Sequence, residues 1–457
     1  GNTNYNTAAI IITTNSATLT LGKEDGNVSI TNPEIIGSRY GINNEGNGTF
    51  NFYDGIIKGK TAINGNLSAK EKGYEVITTE ENEIETAILG NLPVAKIGEK
   101  EYYTFQEAFD ACPSDGTETT VEVLRNCTTD MANIIEENKN IVLDIQSYKI
   151  VSGIENLFTN NGRFKIVDSI GNGRIISAKG TILKNEETGN FAINNITMQM
   201  TGSSAIDETI ENKGMLEVTG GVIISDGLKN KCINNIEQGT VKITGGTVSA
   251  YTYAIYNTSS NKVEIEGGTV QATYYYEGYS AIYNNTENGV VEIKGGLVTN
   301  QGKAIENKKG TIKVTGGEIR TTQGDTRYSE CGIYNNGKVI IEDGKVAALY
   351  RGSGIQNEGG TIEITGGTVS APEWYNSIIN RGTLEISGGT IKSNEKGIYN
   401  NSTLKMTGGT VEVQEPNYAA LECGGGTATI EGGTIKYNNA GNTNYNTAAI
   451  IITTNSA

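Results

Sequence analysis

The sequence predicts an all-β protein whose chain winds into a parallel β-helix, a solenoid of about 23 residues per rung. Two observations predict this fold class: a four-residue phrase ending in asparagine recurs at similar intervals, and an alternating strand with a glycine pair follows each phrase. A third is compositional, since 60 glycines stand against 5 prolines without a collagen-like period of three. A chain of 457 residues also exceeds what one small core requires, so an extended repeat architecture fits its length.

The recurring phrase consists of a small residue, an aliphatic residue, a variable residue and asparagine. Its clearest copies are "AIYN" at 254–257 and 281–284, "AIEN" at 304–307, "GIYN" at 332–335 and 397–400, and "GIQN" at 354–357. Weaker copies end at Asn212, Asn235 and Asn380, and in "ALEC" at 420–423 a cysteine takes the asparagine position. The nine intervals between residues 212 and 423 average about 23 residues, which suits one rung of three short strands.

An alternating strand follows each phrase and runs into a glycine pair, as in "VKITGGTV" at 241–248 and "LEISGGTI" at 384–391. The period of two places Val241, Ile243 and Val248 on one face and Lys242 on the other. One such repeat cannot bury its apolar face alone, whereas stacked repeats form a continuous core. The glycine pairs are interpreted as turns whose backbone conformation is closed to residues with a Cβ.

The recurring asparagines are predicted to form a ladder, because rungs about 4.8 Å apart place them above one another. Stacked amides can donate and accept along the axis and satisfy backbone groups of a buried turn. The alternative is that asparagine marks exposed turns of left-handed geometry, but its fixed offset from an inward isoleucine favours the ladder. The predicted ladder consists of Asn212, Asn235, Asn257, Asn284, Asn307, Asn335, Asn357, Asn380 and Asn400.

Residues 94–150 carry a family resemblance. "TFQEAFDAC" at 104–112 has Phe105, Ala108, Phe109 and Cys112 at helical spacing, and "LDIQSYKI" at 143–150 supplies an aliphatic strand after it. This order of elements resembles the opening of pectin-lyase-like right-handed parallel β-helix repeat modules from Gram-positive bacterial surface proteins, which act as adhesins or filaments. The resemblance implies a right-handed helix, a short N-terminal capping helix and an extracellular location at the cell surface.

Residues 1–17 and 441–457 are identical, which indicates a longer repeat of 441 − 1 = 440 residues. We interpret 1–68 as the terminal coils of one β-helix module, and 69–103 as a hairpin-like junction that carries a glutamate-rich stretch and Pro93. Residues 104–140 are then the capping helix and entry strand of the next module, and 141–457 its β-helix. On this interpretation the chain is an excerpt or mature piece of a longer protein.

Composition argues against several function classes. The sequence has no histidine, which excludes Ser-His-Asp and Cys-His nucleophile systems and the usual zinc sites. The net charge of −16 disfavours nucleic acids and anionic membranes, and no segment is apolar over the roughly 20 residues needed to cross a bilayer. The candidate acids Asp226, Glu342 and Asp343 share no motif with an arginine. We therefore expect no enzyme activity, catalytic residue, metal or cofactor.

Two groups of residues remain as candidate sites. Cys112 and Cys127 could form a disulfide, whereas Cys232, Cys331 and Cys423 read as buried apolar thiols. Aromatic residues recur between the glycine-pair strand and the next phrase, where they could stack on sugar rings. The alternative is that they cover the β surface or pack against neighbouring filaments. The candidate glycan contacts are Tyr274, Tyr275, Tyr276, Trp374 and Tyr375.

Together these observations predict a structural segment of a large extracellular surface filament or stalk. Its expected partner is itself, through head-to-tail or tandem 440-residue modules. The alternatives are an adhesin that binds host or environmental glycans through the aromatic residues, and a polysaccharide lyase of the same fold.

Overall fold

The computed structural model describes residues 8–24, 28, 32–71, 74–202, 208–228, 230–274, 279–322, 330–371, 375–394, 396–414, 419–437 and 449–452. Within these ranges the chain is an all-β solenoid of right-handed type, with about 16 turns of about 23 residues and one short helix. The predicted fold class is confirmed. The chain forms two compact units, Gly1–Ala108 and Phe109–Ala457.

The first unit contains three small sheets, two of them parallel and the third mixed. One consists of Ala8–Ile11, Tyr40–Asn43 and Thr61–Asn64, and a second of Thr18–Leu21, Thr49–Phe52 and Ala69–Lys70. The third pairs Glu34–Ile36 with Ile56–Gly59. Their inward side chains form one core, in which the buried rings of Phe50 and Phe52 stack at 6.2 Å beside Ile12, Leu21 and Ile42.

A hairpin follows these coils inside the segment interpreted as a junction. Its strands are Glu75–Glu81 and Ile84–Gly90, and the second pairs antiparallel with Ile56–Gly59. Asn82 and Glu83 form the turn with φ of 53° and 60°, the left-handed pair that matches the twist of two-residue hairpins. A shorter hairpin, Ala95–Ile97 with Lys100–Tyr102, comes next.

The short helix, α1, spans Phe105–Ala111. Its start is fixed by a capping box: the Glu107 amide donates to Thr104 Oγ1 at 3.1 Å, and the Thr104 amide donates to Glu107 Oε2 at 3.3 Å. At its other end the buried Lys139 ammonium donates to the carbonyl oxygens of Asp110 at 2.9 Å and Cys112 at 2.8 Å. A cation at this position satisfies carbonyls that the helix itself leaves unpaired.

The second unit stacks its coils into three parallel sheets. Sheet A contains Glu118–Val123, Asn140–Asp144, Arg163–Val167, Asn190–Asn194, Met215–Val218, Thr240–Ile243, Val263–Ile265, Thr361–Ile364, Thr383–Ile386, Thr403–Met406 and Thr427–Ile430. Sheet B contains Cys127–Thr129, Lys149–Ser152, Arg174–Ser177, Thr197–Met200, Val222–Ser225, Thr247–Ala250, Thr269–Ala272, Leu297–Asn300, Thr368–Ala371, Thr390–Ser393, Thr410–Val413 and Thr434–Tyr437.

Sheet C carries the asparagine phrases. It contains Asn133–Ile135, Asn156–Asn160, Thr181–Asn185, Glu208–Asn212, Lys231–Asn235, Tyr253–Asn257, Cys331–Asn335, Ser353–Asn357, Asn376–Asn380, Lys396–Asn400, Leu421–Cys423 and Ile450–Ile452. Three longer strands turn corners between sheets: Ser280–Ile293 from C to A, Lys303–Thr321 through C, A and B, and Lys338–Ala348 from A to B.

Each coil buries alternate residues of its strands. In Thr240–Ile243, Val241 and Ile243 are buried while Lys242 is partly exposed, as the period of two predicts. Burying one such aliphatic side chain stabilises the fold by roughly 1.5–3 kcal/mol. At the start of the stack, the buried Phe109 ring of α1 lies 6.2 Å from Phe158 and 5.8 Å from Phe164, so the helix covers the apolar interior of the first coils.

The glycine pair between sheets A and B has two distinct requirements, which Gly245 and Gly246 illustrate. A Cβ on Gly245 would lie 2.5 Å from the carbonyl oxygen of Thr219 in the preceding coil. Gly246 has φ of +76°, a conformation that L side chains rarely adopt. The pair therefore lets successive coils approach to sheet spacing at a tight corner.

Candidate functional site

The nine predicted ladder asparagines form one buried column along sheet C. Each side-chain Nδ2 donates to the Oδ1 of the next asparagine, at distances of 2.7–2.9 Å. The strand register also aligns them, for example Asn235 with Asn257 and Asn335 with Asn357. The column is therefore a continuous chain of amide hydrogen bonds parallel to the coil axis.

Each ladder amide also serves the turn that follows it. Asn335 Nδ2 donates to the Gly337 carbonyl at 3.1 Å, while its Oδ1 accepts from the Gly337 amide at 3.1 Å. Asn380 accepts from the Gly382 amide at 3.2 Å in the same way. The ladder thus pairs backbone groups at a corner where the chain leaves sheet C and no strand partner is available to them.

The ladder extends further than the sequence interpretation placed it. Asn160 donates to Asn185, and Asn185 donates to Asn212, both at 2.8 Å. Their phrases, "LFTN" and "ILKN", have leucine or isoleucine in place of the small residue, and "LFTN" also has phenylalanine in place of the aliphatic residue. A search for any apolar residue two positions before an asparagine would have included both.

Cys423 continues the column at its other end. The register aligns it with Asn400, whose side chain hydrogen-bonds its thiol. Burial raises the pKa of this thiol, and the Asn400 hydrogen bond acts in the opposite direction. A thiol accepts a hydrogen bond only weakly, so the amide chain weakens at this coil.

Tyrosines cover the outer face of sheet C beside the ladder. The rings of Tyr256 and Tyr283 stack at 4.7 Å with an interplanar angle of 14°, and Tyr253 meets both edge-on at 5.3 and 5.7 Å. The Lys231 ammonium lies 4.2 Å from the Tyr256 ring centroid, and Lys303 lies 4.2 Å from that of Tyr334. The faces of these rings are therefore largely in contact with one another and with lysine side chains. Each aromatic pair stabilises the fold by about 0.5–1.5 kcal/mol.

The structure places only part of the predicted glycan-contact group. Tyr275, Tyr276 and Trp374 lie outside the described residues. Tyr274 packs 4.7 Å from Tyr251 and 5.4 Å from Tyr279, ring centroid to ring centroid. Tyr375 is half-buried four coils further along, about 19 Å away along the axis. Tyr274 and Tyr375 are on the same side of the coil but do not share one compact site.

Charged groups beside the tyrosines have perturbed chemistry. Burial of the Glu208 carboxyl, together with its hydrogen bond to Glu211, raises its pKa to about 7, while Lys231 acts to lower it. Glu306 is buried, and its Oε1 accepts from Lys303 at 3.3 Å and Lys308 at 2.8 Å. The Glu208–Glu211 pair and the Glu306–lysine pairs thus lie beside the tyrosines on the outer side of sheet C, where neighbouring side chains cover them.

Other charged side chains form ion pairs or hydrogen bonds with an adjacent coil, or hydrogen bonds with a neighbouring residue. Lys242 lies 3.1 Å from Glu266, and the hydrogen bond from Lys242 lowers the pKa of that exposed carboxyl. Glu342 pairs with Lys313 at 3.0 Å, Asp226 accepts from Gln199 at 2.6 Å, and Asp343 accepts from the Gly344 amide at 2.7 Å. Asp226 and Glu342 thus have separate partners in separate coils.

All but one of the cysteines are buried. Burial raises the pKa of the Cys232 thiol, and it raises that of Cys331 to about 12. Such thiols remain protonated at neutral pH and are poor nucleophiles. Cys112 and Cys127 are both buried as well, and the disulfide between them stays a prediction.

The part of the chain that the structure describes contains no group of three or more Cys, Asp or Glu residues arranged to hold a metal ion. Its one helix is too short to cross a membrane. A depression of ≈ 330 Å³ on sheet A, lined by Glu363, Glu385 and Lys405 among others, lies away from the tyrosine face. Comparison with protein-family models, with curated proteins and with solved structures finds no match to this chain.

Proposed function

We propose that the chain is a structural repeat of a large extracellular bacterial surface filament or stalk, built of head-to-tail or tandem modules of 440 residues. The asparagine ladder carries this proposal. It runs from Asn160 to Asn400 without a break, and every asparagine in it directs its amide along the axis. These buried amides hydrogen-bond to one another and to backbone groups of the turns, so they leave few donors or acceptors for a ligand. This arrangement suits a stiff rod better than a ligand site.

The resemblance to pectin-lyase-like surface modules supports an extracellular setting. The net charge of −16 argues against a nucleic-acid partner, because it repels phosphate groups. The cross-coil ion pairs also suit an exposed rod, because charged side chains on the outer faces oppose sheet-to-sheet aggregation.

The mechanical role is tested on the isolated chain by single-molecule pulling. A stack of three-sheet coils is expected to resist force and then release in coil-sized steps of about 23 residues, or in multiples of them. Smooth extension at low force would contradict a load-bearing role. Surface labelling of intact cells with an antibody to the chain tests the location, and label found only inside permeabilised cells would contradict it.

A carbohydrate-binding adhesin is the second candidate, favoured by the aromatic residues on the side of the coil between sheets B and C. It predicts saturable binding on a glycan array, weakened by Tyr274→Ala or Trp374→Ala. Tyr256→Ala, in the stacked column, is the matched control and should leave binding unchanged. Absence of binding to every glycan would remove this candidate. A polysaccharide lyase, the third candidate, predicts unsaturated uronides from polyuronates and is removed by inactivity on a panel of them.

A further inference from the structure

A lysine and an asparagine meet on the outer side of sheet C, in the strand Lys231–Asn235. Lys231 Nζ donates to Asn234 Oδ1 at 3.1 Å, and it lies 4.2 Å from the ring centroid of Tyr256 in the next coil. These two contacts hold the amine beside the side-chain amide. Asn234 is the variable residue of its phrase, so its amide takes no part in the ladder, which runs through Asn235.

Glu208 in the preceding coil faces both of these residues. The strand register aligns Glu208 with Lys231, and the Asn234 side chain hydrogen-bonds to the Glu208 carboxyl. A second carboxyl, Glu211, is aligned with Asn234 and hydrogen-bonds to Glu208. The Asn234 amide therefore has an amine at its oxygen and a carboxyl group as its other partner.

The Glu208 carboxyl is suited to carrying protons between these groups. Burial raises its pKa, and the Glu211 carboxyl raises it further, to about 7, although Lys231 and Asn234 act to lower it. A group with a pKa near neutrality both accepts and returns a proton at neutral pH, as general acid–base catalysis requires. Glu208 and Asn234 are only 8 and 7% exposed, so little water competes for the Asn234 carbonyl carbon.

The same two strand positions recur three coils further along, with a different partner for the lysine. There Lys303 Nζ donates to Glu306 Oε1 at 3.3 Å. A carboxylate is negatively charged and has no group that an amine readily displaces, so this pair is stable as an ion pair. Asn234 instead offers an uncharged carbonyl carbon that bears a nitrogen leaving group. Of the two sites, the one at Lys231 has the chemistry to form a covalent bond.

We propose that Lys231 and Asn234 join in an intramolecular isopeptide bond, with Glu208 carrying the protons. Glu208 takes a proton from Nζ, and the Nζ lone pair forms the new bond to Asn234 Cγ while the carbonyl π electrons move to Oδ1. Glu208 returns that proton to Nδ2 and takes the remaining excess proton from Nζ. The carbonyl then re-forms, and the Cγ–Nδ2 bond breaks with its electron pair leaving on ammonia. The ammonia accepts the proton held by Glu208 and departs as ammonium, so no oxidant, reductant or further reactant is consumed.

The fold favours this reaction through proximity and through its product. Two groups held in contact react as parts of one molecule, which removes most of the entropy cost of bringing them together. The product replaces a lysine charge on a largely covered face with a neutral amide. It also closes a ring across Cys232 and Ile233, both of which are fully buried, and so fixes this strand of sheet C covalently.

Intact-mass spectrometry of the denatured chain tests the bond. The parent chain should be lighter than its sequence mass by one ammonia, and trypsin should no longer cleave after Lys231. Lys231→Arg should keep its full sequence mass, because a guanidinium group is a poor nucleophile. Glu208→Gln keeps the size of the side chain but cannot carry a proton, so it should lose ammonia at least about a hundredfold more slowly.

Lys303→Arg is the matched control, since it changes the lysine at the equivalent position and should leave the ammonia loss intact. Circular dichroism checks that each variant keeps its β structure. A parent chain that remains at its sequence mass after prolonged incubation at neutral pH overturns the proposal. An ammonia loss that persists in Lys231→Arg also overturns it, because Asn234 would then have closed on the backbone nitrogen of Asn235. Equal rates for the parent and Glu208→Gln would overturn the role given to Glu208.

Discussion

Replacing Asn335 by alanine removes one member from the middle of the amide column. Its Oδ1 accepts from Asn307 at 2.8 Å and from the Gly337 amide at 3.1 Å, and its Nδ2 donates to Asn357 at 2.9 Å. The side chain is fully buried, so water does not replace these bonds without a local rearrangement. The neighbour Asn336, which is exposed, provides the matched control.

The expected magnitude follows from the groups left behind. Asn307 loses an acceptor, Asn357 loses a donor and the Gly337 amide loses its side-chain partner. An unsatisfied buried polar group costs about 1–3 kcal/mol, so with three groups affected Asn335→Ala should destabilise its coil by about 3 kcal/mol or more. Asn336→Ala should change the free energy of unfolding by less than about 0.5 kcal/mol.

Native-state hydrogen exchange is the suitable assay, because the coils of a solenoid interact mainly with their neighbours and need not unfold together. Amides in the coils of Asn307, Asn335 and Asn357 should exchange faster, while those near Asn212, five coils away, should keep their protection. Equal and small effects for Asn335→Ala and Asn336→Ala would refute the view that the ladder stabilises the stack. Uniform loss of protection throughout the unit would refute its local character.

Three further predictions concern a corner, an acid and the helix end. Gly246→Ala should destabilise the fold by more than Gly116→Ala. Both glycines have positive φ, but only a Cβ on Gly246 would collide with the preceding coil, at 2.7 Å. Denaturant unfolding compares the two variants, and equal losses of unfolding free energy would mean that the backbone conformation alone matters. Since folding raises the pKa of Glu208 from 4.5 to about 7, the folded state holds a proton that the unfolded state has lost between these values, and stability should fall by on the order of 1–3 kcal/mol as pH rises through that window. Glu208→Gln should remove this slope in thermal unfolding measured at several pH values, and an unchanged slope would place its origin elsewhere. Lys139→Met keeps the apolar stem but removes two hydrogen bonds to carbonyls at the end of α1. It should lower the free energy of unfolding by about 2 kcal/mol and speed amide exchange in α1. Lys149→Met, at an exposed strand position, should have neither effect.

The ladder shows how far sequence reasoning reached. The phrase with a small residue identified nine asparagines from Asn212 onward, and the structure places them in one column. Asn160 and Asn185 were missed because the small residue was treated as part of the signal. At these two coils Leu157 and Ile182 take its place and are buried. The pattern therefore contained the information, but it was read too strictly.

The aromatic residues show what sequence reasoning could not predict. From the sequence alone, the aromatic residues could contact glycans, or could cover the β surface and pack against neighbouring filaments. The packing of Tyr256 on Tyr283 and the lysine above Tyr256 depend on which residues adjacent coils place side by side. Those neighbours are separated by 20–28 residues of sequence, and no local period specifies which ring faces become covered.

The sequence by itself determined the all-β solenoid, its rung of about 23 residues, the inward aliphatic positions and most of the ladder, because strand alternation and turn glycines are local properties that every rung repeats. Only the tertiary structure decided which carboxyl is buried enough to have a pKa near 7 and which tyrosine rings stack on one another between coils. These features arise between coils, where register and burial join residues that are distant in sequence.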